Sequence, residues 1–280
     1  MTLLLRSLGL TILLLFLPAI GSGNLFAPSA ELWERWEAHD AGSGATVDHS
    51  AWDGLLDRHL KPDASGANLF DYGGLKGSGA DTAALTVYLD QLSATPVSTL
   101  NRDEQMAFWI NLYNALTVKV VVDNHPVASI RDIDISPGLF ASGPWGKQLI
   151  TVEGENLSLN DIEHRILRPI WKDARIHYAV NCASIGCPDL QAKAWRAKTL
   201  ETMLNAAARA YVNDPRGVSV NGGKVTISSI YDWFIDDFGG SEATVLAHLK
   251  QYADADLKAT LDQVTSIEDA AYDWSLNGVK

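Results

Sequence analysis

Cysteine is almost absent from this chain: its 280 residues contain two, Cys182 and Cys187. A basic surplus is also missing, since 22 Lys and Arg face 34 Asp and Glu, for a formal net charge of −12. Phosphate backbones are bound by clustered Lys and Arg, so this balance argues against nucleic acid and against a polybasic membrane patch. No run of five like charges occurs, which excludes a charged tail. No internal repeat or low-complexity tract is visible. Nor is there an apolar run of the roughly 20 residues that a membrane span needs. The longest, SLGLTILLLFLPAI (7–20), falls short of that length.

That short run has a different reading. It follows one positive side chain, Arg6, and precedes the small residues of AIGSG, as in a secretory signal. Cleavage is expected near Gly21 or Gly23, and no cysteine follows the run to carry a lipid anchor. The expected organisation is a signal peptide over 1–23, an N-terminal helical extension over 24–69, and one domain over 70–280. The expected location is periplasmic or secreted, with no stable membrane insertion after cleavage. Such compartments are oxidising, which bears on the two cysteines.

With 47% hydrophobic residues, the chain can bury a substantial core. Residues 41–50 and 61–79 read as loops, and 49–60 and 81–94 as helices, the second with Asp81 as its N-cap. VSVNGGKVTI (218–227) alternates around Asn-Gly and reads as a hairpin. KQLITVEG (147–154) and RIHYAV (175–180) read as strands, and a helix is expected from about Leu190 to Val212. No βαβ rhythm links these elements. The class is therefore α+β, with mixed helices and a small antiparallel sheet around a buried central helix.

That central helix is NRDEQMAFWINLYNALTVKVVVDNH (101–125), which is apolar almost all round from Met106 to Val122. Asn101 can cap it. Glu104, Asn111 and Asn114 form a polar stripe, with Asn111 about 20° and Asn114 about 80° from Glu104. Unpaired buried amides cost roughly 1–3 kcal/mol each. The two amides therefore either hold a buried loop or orient a catalytic group or substrate.

In RIHYAVNCASIGCPDL (175–190), alternation places His177, Ala179 and Asn181 on one face. Gly186 permits a tight turn, and Pro188 keeps Cys187 out of the helical region. The thiols can be a disulfide, a histidine-activated nucleophile, a metal clip or inert. No second ligand pair supports a metal, and nothing calls for a cofactor. In LSLNDIEHRILRPIW (157–171), Ser158 and Asp161 suit a capping box. Leu159, Ile162, Ile166 and Ile170 make the core face, Glu163 sits at its edge, and His164 is expected in solvent.

The segments AFWINLYNALT, IEHRIL, DARIHYAVNCASIGCPDL, ISSIYDWFIDDF and YDWSLN resemble the domain-of-unknown-function 547 family. The resemblance spans roughly Phe70 to Asn277. The family occurs in bacterial exported proteins and as a C-terminal domain in plant proteins, and its name records no established activity. Its recurring residues match Glu104, Trp109, Asn111, Asn114, Glu163 and His164. They also match His177, Cys182, Cys187, Pro188, Asp232, Trp233 and the run Tyr272 to Asn277. Intracellular plant relatives weaken a purely disulfide role for the cysteines.

Two functions follow from these residues. One is a thiol-dependent hydrolase or acyl transferase of the cell envelope, acting on peptide or amide bonds. Here Cys187 or Cys182 attacks, His177 or His164 serves as base, and Asn111 or Glu104 orients the histidine. Asn114, Trp109 and Asn181 would contact the substrate, a small molecule or peptide. The other is a non-catalytic envelope module that binds a peptide, glycan or protein, for which nine Trp and eight Tyr supply aromatic surface.

Overall fold

From the N-terminal side, a single 3₁₀ turn at Glu34–Glu37 leads into α1 (Ser50–His59), and β1 (Leu60–Pro62) then pairs antiparallel with β2 (Asn68–Phe70). This is a computed structural model that describes residues 27–63, 66–138 and 143–279. The export signal expected at 1–23 lies outside the described residues. Next come α2 (Tyr72–Gly77), α3 (Gly79–Ser93) and the long α4 (Arg102–Asn124). Hairpin β3 (Ile150–Val152) and β4 (Glu155–Leu157) follows, then a π-helical turn over Asp161–Leu167 that runs into α5 (Arg168–Trp171). The remaining elements are α6 (Leu200–Val212), β5 (Val218–Asn221), β6 (Lys224–Ser228), α7 (Ser229–Trp233), α8 (Glu242–Tyr252), α9 (Ala255–Leu261) and β7 (Asp269–Ala271). The class is α+β, as expected. Two small sheets are antiparallel, while the third is mixed because β7 joins β6 in parallel.

The core is organised around α4. Asn101 caps it by accepting the Glu104 N–H, and from Glu104 to Val122 only Lys119 is not buried. A helix with no polar face has no stable place in water. Each fully buried Phe, Leu, Ile or Val contributes roughly 1.5–3 kcal/mol when surrounded by other elements. Helices α2, α3 and the π turn pack on α4 and provide that cover. Residues ahead of Phe70 enter the same core. Trp36 stands edge-on to Trp109, with ring centroids 5.0 Å apart. No helix among the described residues is long and apolar enough to cross a membrane.

The structure departs from the sequence expectations at several places. RIHYAV is not a strand: Ala174–Tyr178 is a 3₁₀ helix, started by Asp173 accepting the Arg175 N–H. Residues 176–181 are all buried, so the alternation did not report one wet and one dry face. The last helix of that region starts at Leu200, not Leu190, because backbone before it is held by side chains instead. Asp53 takes the Ala194 N–H, and Asn111 takes the Trp195 N–H. The stretch 61–79 is not all loop, since it holds β1, β2 and α2. Ser78, not Asp81, caps α3, while the Asp81 carboxylate accepts from Arg58 and His59.

Candidate functional site

The cysteines sit in a loop whose backbone is pinned on three sides. Asn181 accepts the Ala183 N–H and donates to the Pro188 carbonyl. From α6, the Tyr211 hydroxyl donates to the Gly186 carbonyl at 2.6 Å. The closing run lies along the loop, with Ile185 and Gly186 donating to the carbonyls of Ser275 and Asp273. A Cβ at Gly186 would stand 2.8 Å from the Asp273 nitrogen, so only glycine lets the run approach this closely. Ala183, next to Cys182, holds φ +59°, a left-handed conformation that costs an alanine about 1–2 kcal/mol. The Asn181 clamp and the closing run hold that conformation in place.

The two sulfurs are not bonded. They lie 3.0 Å apart, beyond the roughly 2.05 Å of a disulfide, and both cysteines are free thiols. The disulfide expectation is therefore corrected. The thiols differ from each other. Cys187 is buried, accepts the Cys182 N–H at 3.0 Å, and burial pushes its pKa well up. Cys182 is partly exposed. The Cys187 thiol, and then the hydroxyls of Ser184 at 3.2 Å and Tyr272 at 3.0 Å, hydrogen-bond it and hold its pKa below the usual thiol value, against the opposing effect of burial.

Both thiols line a cavity of about 580 Å³ together with His177, His164 and Glu163. The 3₁₀ turn after Asp173 supplies His177. Its Nε2 donates to the Asp237 carboxylate at 2.7 Å, its ring stacks on Phe234 at 4.5 Å, and its Nδ1 lies 3.8 Å from Glu163 Oε1. With Nε2 so engaged, Nδ1 is the nitrogen left for proton exchange. The π turn supplies both Glu163 and His164, and its widened bonding shows where Arg168 N–H reaches the Glu163 carbonyl five residues back.

His164 is buried, contrary to the expectation of solvent. Its Nδ1 accepts from Arg168 at 2.9 Å, and burial lowers its pKa to about 4, so it is neutral near pH 7 and its acceptor nitrogen is taken. Burial alone would raise Asp237, but hydrogen bonds from His177 and Arg168 bring it down to about 2. Asp237 is thus an anion fixed between the Arg168 guanidinium and the His177 imidazole.

The stripe on α4 lies partly elsewhere. Asn111 exchanges two hydrogen bonds with the Trp195 backbone, at 2.8 and 3.0 Å. Asn114 donates to the Ala179 carbonyl and accepts the Asn181 N–H, gripping the chain between His177 and Cys182 from below. Glu104 accepts the Val47 N–H at 2.7 Å, and Trp109 lies in the Trp36–Phe108 cluster. Glu104, Asn111, Asn114, Trp109 and Asn181 are all absent from the cavity lining. Asp237, not Asn111 or Glu104, contacts the imidazole of His177. Sequence reading missed Asp237 because it stands 60 residues from His177 within an acidic run that looks like ordinary surface.

Aromatic rings wall the cavity. Trp233 and Trp274 stack at 5.6 Å, Trp145 meets Trp274 edge-on at 5.8 Å, and Tyr272 packs on Trp274 at 4.7 Å. Gly143, at φ +72°, makes room for Trp145, whose ring would lie 2.1 Å from a Cβ there. Among the described residues, no group of three His, Cys, Asp or Glu is arranged to hold a metal ion.

The model of the family described as "Protein of unknown function, DUF547" matches residues 97–212. Neither the curated proteins nor the solved structures compared with the chain give a match. The DUF547 segment contains α4, the π turn, His177 and both cysteines. Trp233, Tyr272 and Trp274 reach the cavity, and Asp237 reaches His177, from beyond its end.

Proposed function

We propose that the cavity is the active site of a thiol-dependent hydrolase or acyl transferase, exported to the periplasm or secreted, with Cys182 as nucleophile. The observation that carries this reading is the placement of Cys182. The residue is partly exposed and lines a pocket also lined by His177, and its sulfur lies within hydrogen-bond distance of Cys187, Ser184 and Tyr272, contacts that favour the thiolate. In the reaction, His177 Nδ1 takes the thiol proton and the sulfur attacks the acyl carbon. The C–N or C–O bond breaks as the leaving group receives the proton from His177. Water or a second nucleophile then cleaves the thioester. Asp237 positions the imidazole and stabilises its cation, a role Glu163 shares from 3.8 Å. Cys187 is a hydrogen-bond donor to Cys182 in this scheme and does not attack.

The test combines reactivity and turnover. Iodoacetamide labelling of Cys182, followed by mass across pH 5 to 10, should reach half its maximal rate below the roughly 8.5 of a free thiol. The neutral ester p-nitrophenyl acetate should release a burst of about one equivalent of p-nitrophenol as the thioester forms. A Cys182 that titrates at or above the free-thiol value, with no burst, refutes the reading. A non-catalytic binding pocket would then be left, favoured by the aromatic walls.

A further inference from the structure

One charged side chain of the cavity takes no part in the chemistry just described. Arg131 lines the pocket from the 3₁₀ turn Ile130–Asp132, with its guanidinium 5.3 Å from the centroid of Trp274. The other arginines near this site are engaged: Arg168 donates to Asp237, and Arg175 to Asp173 and Glu201. No carboxylate among the described residues pairs with Arg131, and the neighbouring Asp132 is turned back to accept the Ser129 N–H. The residues outside the described set carry no Asp or Glu either. In a chain of net charge −12, a cation left open at a pocket wall and steadied by stacking is an anion receptor.

Near the thiol the lining has the reverse character. Glu163 lines the cavity within Coulombic reach of the Cys182 sulfur. An anionic group is repelled there and attracted at Arg131. A chain of contacts links Arg131 to the thiol: Arg131 stacks on Trp274, Trp274 packs on Tyr272, and the Tyr272 hydroxyl meets the Cys182 sulfur. We infer that the cavity selects a substrate with an apolar or planar body and a carboxylate, the carboxylate held by Arg131 and the acyl carbon directed to Cys182. The acyl character rests on the thiol reading, whereas the carboxylate and the apolar body rest on Arg131 and the aromatic walls alone.

Two measurements separate these layers. In ligand-observed NMR titrations, phenylacetate should bind wild-type protein more tightly than phenylacetamide. Arg131→Gln should weaken phenylacetate about tenfold, the loss of one charge-assisted contact, and leave phenylacetamide unchanged. The unchanged amide shows that the variant is folded with its pocket intact. Equal binding of phenylacetate by wild type and variant, or no binding by wild type, overturns the inference. The second measurement compares the rates at which iodoacetate and iodoacetamide label Cys182. Arg131→Gln should lower the iodoacetate rate selectively, and added salt should do the same in wild type. If phenylacetate binding depends on Arg131 while neither reagent labels Cys182, the anion site stands and the thiol chemistry falls.

Discussion

Two groups of polar side chains enter the apolar interior of this protein, and they are used differently. On α4, Asn111 and Asn114 spend their carbonyl and amide groups on backbone, at distances of 2.8 to 3.0 Å. In the cysteine loop, Asn181 is spent in the same way, but Cys182 is left facing a cavity. Burial of a polar group is thus no sign of function in itself. The informative sign is a reactive atom that is hydrogen-bonded, rigidly held and still reachable. The two groups are connected, because Asn114 grips the residues on either side of Val180 and so sets the position of the loop that carries the thiol.

The comparison predicts opposite phenotypes. Cys182→Ala should abolish fast alkylation and the p-nitrophenol burst entirely while the denaturant midpoint stays near wild type. A residual burst in that variant would move the nucleophile elsewhere. Asn114→Leu should do the reverse first. It strands the Ala179 carbonyl and the Asn181 N–H, at about 1–3 kcal/mol each, or about 2–6 kcal/mol in urea unfolding. An unchanged midpoint would show that Asn114 is not a clamp.

Acid should separate the regions as well. His164 has a folded pKa of about 4 against 6.5 unfolded, so the unfolded chain takes up the proton first. Its contribution is full above 6.5 and is lost as pH falls toward 4, on the order of 3 kcal/mol in all. His49 and His248, also lowered to about 4 chiefly by burial, act in the same direction. Asp237, at about 2, extends the loss to lower pH. Urea midpoints measured from pH 7 to 4 should fall, and His164→Gln should flatten that decline. The smallest expected effect is on positioning. Asp237→Asn should slow the burst about 100-fold, within the range of acid–base contributions. Its pH profile should change while phenylacetate binding at Arg131 does not. A burst of unchanged rate would remove Asp237 from the scheme.

Much of this was readable before any coordinates. The central helix announced itself by apolar residues on every face, and its Asn101 cap, the Asn-Gly hairpin and the Ser158–Asp161 capping pair are local patterns that tertiary context did not override. The sequence offers Cys182 and Cys187 with His177 or His164 as candidates for a thiol site, and the structure places all four on one cavity. What failed was orientation. Ala174–Tyr178 looked like a strand because alternation carries no signal when both faces are buried. His164 looked solvated because a uniform helical wheel does not allow for a π turn.

The sequence by itself determined the α+β class, the buried α4 and the narrow set of residues capable of chemistry, because periodicity and composition are local quantities. Only the tertiary structure decided which of those residues share a cavity, since that depends on contacts between distant segments. It turned Asn111 and Glu104 toward backbone and brought Asp237 to His177. It also folded Tyr272 onto Cys182, 90 residues away, where a hydroxyl and a second thiol could distinguish one sulfur from the other.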